Sequence, residues 1–393
     1  MPDSAEVRSS NLEKTYRQGG SGLNKEYRSG KTGFRLLSSW FAAFTLLLSP
    51  LSGYGADLIK PKVLVIATYE TGKDRGDVPG ELQYWVEREN LDQPIKVTGI
   101  DHPLLTNGKG LYAMISGTTS RSAIQMMALA MDPRFDLRQT YFLLSGIGGG
   151  NPHQVTVASA VWIRQIVDGD PAFEIDSRET PTSWPYGTIA LGATEPGKVP
   201  DNVDSAPAAG VSDDGAGGVG RIAYRLNPSL VNWAYQLTKE IKLPDNAALA
   251  AQRALFKDFP GAQQNPSVME GDSLGTDHFW HGAIMTRWAE DWVRLYTKGT
   301  GSLAVSDCED QGVVLAMQEL DRLGRVDMKR FLILRTTSNF VMPPPGVHAE
   351  KSLFDNLASS PGYLPALDAN YRIGSIVVSN LLQHWDQYKN QVP

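Results

Sequence analysis

Short runs of apolar residues, separated by polar segments, recur along most of the chain. The runs KVLVIATY, GLYAMISG, TYFLLSGI and VASAVWIRQIV have the length and β-branched content of buried strands. Between the second and third runs, SRSAIQMMALAMD has the periodicity of a crossover helix. Strand, helix and strand in this order predict a largely parallel α/β sheet.

Helical patterning dominates the second half of the chain. It covers four stretches, 228–242, 245–256, 285–297 and 313–323. RFLILRTTS predicts one more strand, and IGSIVVSNLLQHWDQY predicts a last amphipathic helix. We therefore expect a single α/β domain over residues 61–393. Residues 173–220 are dense in Gly, Pro, Asp and Ser, which predicts a long exposed insertion, either a lid or a plain surface loop.

The N-terminal region has a different pattern. Residues 1–33 are polar and contain too few apolar groups to fold, so we predict a disordered extension. Residues 34–56 then combine a basic flank, an apolar stretch and a small-residue end, which is the layout of a signal peptide. This predicts a periplasmic or secreted protein. An uncleaved membrane anchor is the alternative, which Pro50 disfavours because it shortens the apolar stretch.

Charge and cysteine content narrow the function classes. The 393 residues contain 37 Lys plus Arg and 43 Asp plus Glu, a formal net charge of −6. This balance argues against nucleic acid or an anionic membrane as partner and favours a small neutral or polar ligand. The lone Cys308 permits no internal disulfide. We expect no membrane-spanning segment beyond the signal, because no later apolar run is long enough.

The stretch FLLSGIGGGNPHQ places four glycines among five residues directly after an apolar run. Glycine admits positive φ and lets a ligand approach the main chain, so a strand ending in such a loop is a candidate binding site. A plain tight turn is the alternative. The stretch is not a familiar phosphate loop, because no Gly-Lys-Ser/Thr follows and the third glycine of a dinucleotide fingerprint is missing.

Three other stretches carry candidate chemistry. ATYETGKDRGDVPGELQYW follows the first strand with four acids, at the strand end where ligands bind open α/β sheets. MEGDSLGTDHFWHG contains adjacent aromatics, which form either a stacking wall for a flat ring or part of the core. Its His278 and His281 lack the HExxH pattern and an evident third ligand, so we assign no metal. SDCEDQG holds three acids before a helix, where the helix dipole favours them.

Taken in order, these stretches resemble the purine nucleoside permease family, within the nucleoside phosphorylase and nucleosidase superfamily. The resemblance is carried by FEID, GTDHFWHG and LRTTSN, and it covers nearly everything from Lys62 onward. It implies a nucleoside phosphorylase-like three-layer α/β fold, with a mixed central sheet flanked by helices.

The resemblance also implies a role for each stretch. The glycine run cradles the ribosyl side, GTDHFW faces the purine, the glutamate of SDCEDQG grips the ribose hydroxyls, and the end of LRTTSNF meets the base. The implied substrate-binding residues are Ser116, Thr118, Gly146, Gly148, Gly149, Asp277, Phe279, Trp280, Cys308, Glu309, Ser338 and Asn339. The implied catalytic residues are Glu81, Glu309 and Asn339, and no cofactor is implied.

Two departures from the family pattern shape the expected reaction. Asn339 stands where many relatives have an aspartate, and an amide donates a hydrogen bond but cannot act as an acid. This favours slower cleavage or 6-oxopurines. The phosphate-binding arginine and serine of bacterial phosphorylases match Leu144 and Ile147, neither of which can hold a phosphate dianion. Hydrolysis is therefore favoured, with water activated by Glu81, or by Glu70 as second choice.

The resulting hypothesis is an exported nucleosidase that releases the base from purine nucleosides. A phosphorylase with the same pocket is one alternative. A non-catalytic nucleoside-binding component of transport is the other. The expected partners are purine nucleosides, without nucleic acid, and a homo-oligomer is left open.

Overall fold

The structure, a computed structural model, describes residues 57–198 and 222–393. The predicted N-terminal extension and signal peptide lie outside these ranges, as does the second half of the predicted insertion. The predicted domain boundaries therefore stay predictions.

Twelve strands lie within the described residues. In chain order they are β1 (Val63–Ala67), β2 (Gln93–Ile95), β3 (Leu104–Thr106), β4 (Leu111–Ile115), β5 (Tyr141–Gly150), β6 (Ala160–Asp168), β7 (Ala172–Glu174), β8 (Thr188–Ala190), β9 (Ala223–Arg225), β10 (Val268–Gly275), β11 (Leu303–Asp307) and β12 (Phe331–Phe340). β7 and β8 pair with each other in antiparallel fashion. This pair lies in the first part of the predicted insertion, where the sequence predicts only irregular chain.

The other ten strands form one mixed sheet, which partly closes on itself. Its order is β11-β10-β6-β12-β5-β1-β4-β3-β2, with β9 paired to β6. β1 pairs in parallel with β4 and β5, whereas β12 runs parallel to β5 and antiparallel to β6. The end of β5 also pairs with β11, so β5, β12, β6, β10 and β11 make a closed ring.

Nine α-helices lie in the same described ranges. They are α1 (Gln83–Glu89), α2 (Ser122–Met131), α3 (Pro228–Thr238), α4 (Ala247–Ala254), α5 (Ala283–Tyr296), α6 (Asp310–Arg322), α7 (Ala349–Ala358), α8 (Tyr363–Gln383) and α9 (Trp385–Tyr388). Neighbouring residues of β12 show that helices flank both faces of the sheet, because successive side chains of a strand point to opposite sides. Arg335 reaches Asp310 at the start of α6, whereas Thr336 donates to the main-chain oxygen of Ala366 in α8. The predicted mixed α/β fold with a central mixed sheet is confirmed.

The core follows the apolar runs of the sequence. All five residues of β1 and all ten of β12 are buried, as expected for strands covered by helices on both faces. The Trp-rich run forms α5, in which Trp288, Trp292 and Tyr296 lie four residues apart and share one buried face. Among the described residues, no helix is both long enough and apolar enough to cross a membrane.

Candidate active site

The four glycines of SGIGGG lie within β5 and not in a loop after it. A side chain at Gly146 would meet Arg335 and Glu81, and one at Gly148 would meet Val305 and Ser306 of β11. The expectation of a glycine loop is therefore wrong. Close packing between neighbouring strands and a buried ion pair is the physical reason for glycine here.

Arg335 lies at the centre of the buried ion pairs. It sits on β12 opposite Gly146, and its side chain is fully buried. Its Nη2 lies 3.1 Å from Glu309 Oε2 and 2.8 Å from Asp310 Oδ1. Its Nη1 donates to the main-chain oxygen of Ile147 at 3.0 Å and lies 3.9 Å from Glu81 Oε1. One cation thus joins residues from four separate parts of the chain.

Glu81 is held in the loop before α1 by three donors. Its Oε2 accepts hydrogen bonds of 2.7 Å from both the N–H and the hydroxyl of Thr68, at the exit of β1. Its Oε1 accepts the N–H of Ile147 at 2.7 Å. Burial raises the pKa of Glu81, while Arg335 and these hydrogen bonds lower it.

Glu70, the second choice for activating water, accepts hydrogen bonds from the main chain around the start of α1. Its Oε2 accepts the N–H groups of Leu82 and Gln83, at 3.0 and 2.6 Å, where α1 begins. Its Oε1 accepts the N–H groups of Thr71 and Gly80. A carboxylate that accepts four main-chain donors caps the helix and fixes the loop.

Glu309 directly precedes α6 and is 7 % exposed. Its Oε2 also accepts the N–H of Cys308, at 3.3 Å. Burial raises the pKa of Glu309 to about 7, against the opposite influence of Arg335. Burial therefore favours the protonated form of Glu309 more than in an exposed glutamate.

A small cavity lies beside the residues that directly precede Glu309. Gly149, Phe279, Trp280 and Cys308, all predicted to bind substrate, line it together with His278, Ser306, Asp307 and Val341. Its free volume is about 20 Å³. Ligand sites typically enclose about 300–1,000 Å³, so a nucleoside requires its wall to open.

The two aromatics of GTDHFWHG have different environments. Trp280 is buried and packs edge to face on Trp288, with 5.9 Å between ring centroids. Phe279 is 58 % exposed at the cavity mouth. Trp280 therefore packs in the core and also lines the cavity, whereas the exposed ring of Phe279 is available to stack on a flat ligand.

Ser338 and Asn339 lie at the end of β12, with Asn339 paired in register with Gly149. The Ser338 hydroxyl lies within hydrogen-bond distance of the Gly148 oxygen and of Asn339 Oδ1, at 3.3 and 3.0 Å. Asn339 Nδ2 donates to the main-chain oxygen of Phe340 at 3.1 Å. The structure thus brings both residues next to the glycines.

Asp277 ties the loop after β4 to the start of α6. It accepts the N–H and the hydroxyl of Ser120 at 2.7 and 2.6 Å, and Gln311 Nε2 at 3.0 Å. The other predicted residues of this loop are Ser116, whose buried hydroxyl donates to the Gly117 oxygen, and Thr118, which precedes a short 3₁₀ turn. These contacts place Asp277 in the scaffold beside the start of α6.

The two histidines of GTDHFWHG have separate partners. His278 Nδ1 lies 3.6 Å from Asp170, which raises the pKa of His278. His281 Nε2 lies 3.0 Å from the Ser352 hydroxyl, and burial lowers the pKa of His281 to about 4. His281 is therefore neutral at physiological pH.

Sequence reasoning missed Arg335. The family pattern placed a phosphate-binding arginine on the strand entering the glycine run, where Leu144 stands. The structure supplies the guanidinium from the adjacent strand, β12. The available signal was the arginine in the middle of the strand FLILRTTS, because a buried arginine requires acidic partners, and SDCEDQG offers three.

Comparison with known proteins defines the family. The model of the purine nucleoside permease (NUP) family matches residues 60–393, so this chain belongs to that family. The family predicted from the sequence is thereby confirmed. A purine nucleoside permease of Candida albicans is 25 % identical over 346 residues, covering 85 % of this chain and 78 % of that one. A probable purine nucleoside permease of Schizosaccharomyces pombe is 25 % identical over 371 residues, covering 90 % and 99 %.

Solved structures with a similar layout include a nucleosidase and a hydrolase. A 5′-methylthioadenosine/S-adenosylhomocysteine nucleosidase from Neisseria meningitidis has a TM-score of 0.45 and 14 % identity, covering 81 % of this chain and 99 % of that one. The futalosine hydrolase of Helicobacter pylori has a TM-score of 0.46 and 11 % identity, covering 82 % and 98 %. At these values the likeness does not define the role of any residue.

Proposed function

We propose that this protein binds purine nucleosides and cleaves their N-glycosidic bond with water. The observation that carries the proposal is the buried pair of Glu81 and Glu309, joined through Arg335. The substrate class is supported by family membership, because the relatives are named purine nucleoside permeases.

Glu309 is suited to the ribose. Both hydrogen bonds described for its side chain use Oε2, which leaves Oε1 for the sugar hydroxyls. A carboxylate at this position orients the sugar and stabilises the positive charge that develops on it as the glycosidic bond breaks. The base then lies in the adjacent cavity against Phe279, which must move outward because the closed cavity is too small.

Water suits the cluster better than phosphate does. Arg335 is already surrounded by Glu81, Asp307, Glu309 and Asp310. A phosphate dianion placed beside these acids meets like charge, whereas water is neutral and hydrogen-bonds to carboxylates. This arrangement favours hydrolysis over phosphorolysis.

Glu81 is the group in this proposal that removes a proton from the attacking water. Burial raises its pKa, and a carboxylate with a raised pKa is a stronger base than an exposed one. Its three donors fix the direction of both oxygens. The loss of the proton therefore needs little rearrangement of the protein.

The experiment is base release from inosine, guanosine and adenosine in phosphate-free buffer. Wild-type protein is expected to release the base and free ribose. Glu309→Gln is expected to lower kcat by about 10²–10³-fold, because the charge that stabilises the transition state is lost. Glu319→Gln, on the exposed side of the same helix and paired with Arg322, is the matched control and is expected to retain full activity.

Two results contradict the proposal. Full activity in Glu309→Gln contradicts the role assigned to Glu309 at the ribose. Thermal stabilisation of the wild type by nucleosides without any base release supports the alternative of a non-catalytic binding protein.

A further inference from the structure

The carboxyl group of Asp307 has two oxygens with different surroundings. This residue ends β11, and its side chain is fully buried. Its Oδ1 accepts the N–H groups of Glu309 and Asp310 at 3.0 and 2.8 Å, and lies 3.4 Å from Arg335 Nη2. Its Oδ2 is buried without a hydrogen-bond partner among the described residues.

Two neighbouring buried acids, Glu81 and Asp310, have no such oxygen. Glu81 accepts donors at both oxygens, and Asp310 accepts Arg335 at Oδ1 and the Ser273 hydroxyl at Oδ2. An ionised carboxylate with one buried oxygen lacking a donor is strongly disfavoured. Since four acids share one arginine, the cluster must also hold protons, and Oδ2 of Asp307 is the atom whose surroundings fit an O–H.

The electrostatic setting agrees with this assignment. Burial, and then the charge of Asp310, raise the pKa of Asp307 well above its ordinary range, and Arg335 acts against them. A neutral carboxylic acid that keeps accepting main-chain donors at Oδ1 has its proton on Oδ2. That O–H still lacks an acceptor.

Asp307 lies where a base bound in the opened cavity can provide one. It lines the same cavity as Phe279 and Trp280, where the proposed function places the purine. A purine presents ring nitrogens with lone pairs, and a departing purine gains electron density that a proton neutralises. Asn339, beside Gly149, cannot supply that proton, because an amide is not an acid.

We propose that Asp307, through its Oδ2–H, is the general acid that protonates the departing purine. This inference rests on the proposed function. As the glycosidic C–N bond breaks, its electron pair goes to the base, which takes the proton from Oδ2. Water adds to the sugar carbon and gives a proton to Glu81. The Asp307 carboxylate that results is stabilised by Arg335 and two main-chain N–H groups, and it regains a proton from solvent after the base leaves.

The test compares two substrates in Asp307→Asn. This substitution keeps the shape and the acceptor at Oδ1, but its amide cannot transfer a proton. With inosine, kcat is expected to fall by about 10²–10⁴-fold. With 7-methylguanosine, whose base already carries a positive charge and leaves without protonation, Asp307→Asn is expected to match the wild type. That retained rate also shows that the variant is folded.

Asp386→Asn, an exposed acid paired with Lys389 on the last helix, is the matched control and is expected to leave both rates unchanged. Full activity of Asp307→Asn on inosine overturns this inference alone. An equal loss of rate on both substrates also overturns it, because 7-methylguanosine needs no proton from Asp307. A wild-type protein that cleaves neither substrate overturns the proposed function together with this inference.

Discussion

Arg335 shows how one residue organises the site. A guanidinium in the interior is stable only when acids and main-chain oxygens satisfy its donors, and here Glu309, Asp310 and Ile147 do so. The guanidinium also brings several acidic side chains within 4 Å of one another's shared partner. The same residue therefore contributes to folding and to the electrostatics of the candidate site.

Replacing Arg335 with Met is expected to destabilise the protein by about 3–5 kcal/mol at a pH above 7, because it leaves the surrounding carboxylates buried without a cation. The loss is expected to be smaller well below pH 7. Because burial raises the pKa of Glu309 to about 7, the neutral carboxyl group is compatible with the folded state at low pH. Its ionisation lowers the stability of the folded state as the pH rises. Arg335 lowers the pKa of Glu309, so without Arg335 the same ionisation costs more stability.

The measurement is the free energy of urea unfolding at a pH on each side of 7. Arg322→Met, an exposed arginine paired with Glu319, is expected to change stability little at either pH. If the loss of unfolding free energy in Arg335→Met, relative to the wild type, does not grow with pH, then Arg335 does not compensate the charge of the surrounding carboxylates.

At the scale of elements, β5 links the core to the site. Its first residues pair with β1 and β12 in the buried sheet, and its last two pair with β11 to close the ring. The glycines occur where the strand passes Arg335, Glu81 and β11. Their small size allows the closed ring and the buried ion pairs to exist in the same place.

Gly146→Ala is expected to lower both the melting temperature and the rate of base release. The added methyl group would lie 2.6 Å from Glu81 Oε1 and closer still to Arg335, so one of them must shift. Differential scanning calorimetry and the base-release assay measure the two effects.

Gly324→Ala is the control for Gly146→Ala. Gly324 has φ +66°, and beyond its chain neighbours no atom of the described residues lies within 4 Å of the added methyl group. We therefore expect backbone strain of about 1–2 kcal/mol and normal activity. A Gly146→Ala protein that loses no more activity than this control contradicts the close packing at Gly146.

The strands were predictable from the sequence, and parts of the site were not. KVLVIATY and RFLILRTTS correspond to β1 and β12, because buried strands leave continuous apolar runs. The glycine end of β5 was not predictable, since strand pairing there overrides the low strand preference of glycine. Arg335 was missed because its partners lie far away in the sequence, and only the sheet register places it opposite Gly146.

At the scale of the whole molecule, the mixed sheet gathers groups that are distant in sequence. Glu81 follows β1, Glu309 follows β11, and Arg335 lies within β12. The chain that forms this sheet belongs to the purine nucleoside permease family. Export through a cleaved signal peptide stays a prediction, because residues 1–56 lie outside the described ranges.

The central claim is that water attacks a purine nucleoside at this cluster. Its most direct test is incubation of the purified protein with inosine in ¹⁸O-labelled water without phosphate, followed by mass spectrometry of the products. We expect hypoxanthine and ribose in equal amounts, with one labelled oxygen on the released sugar. Bound inosine that stays intact, or cleavage that begins only when phosphate is added and yields ribose 1-phosphate, contradicts the claim.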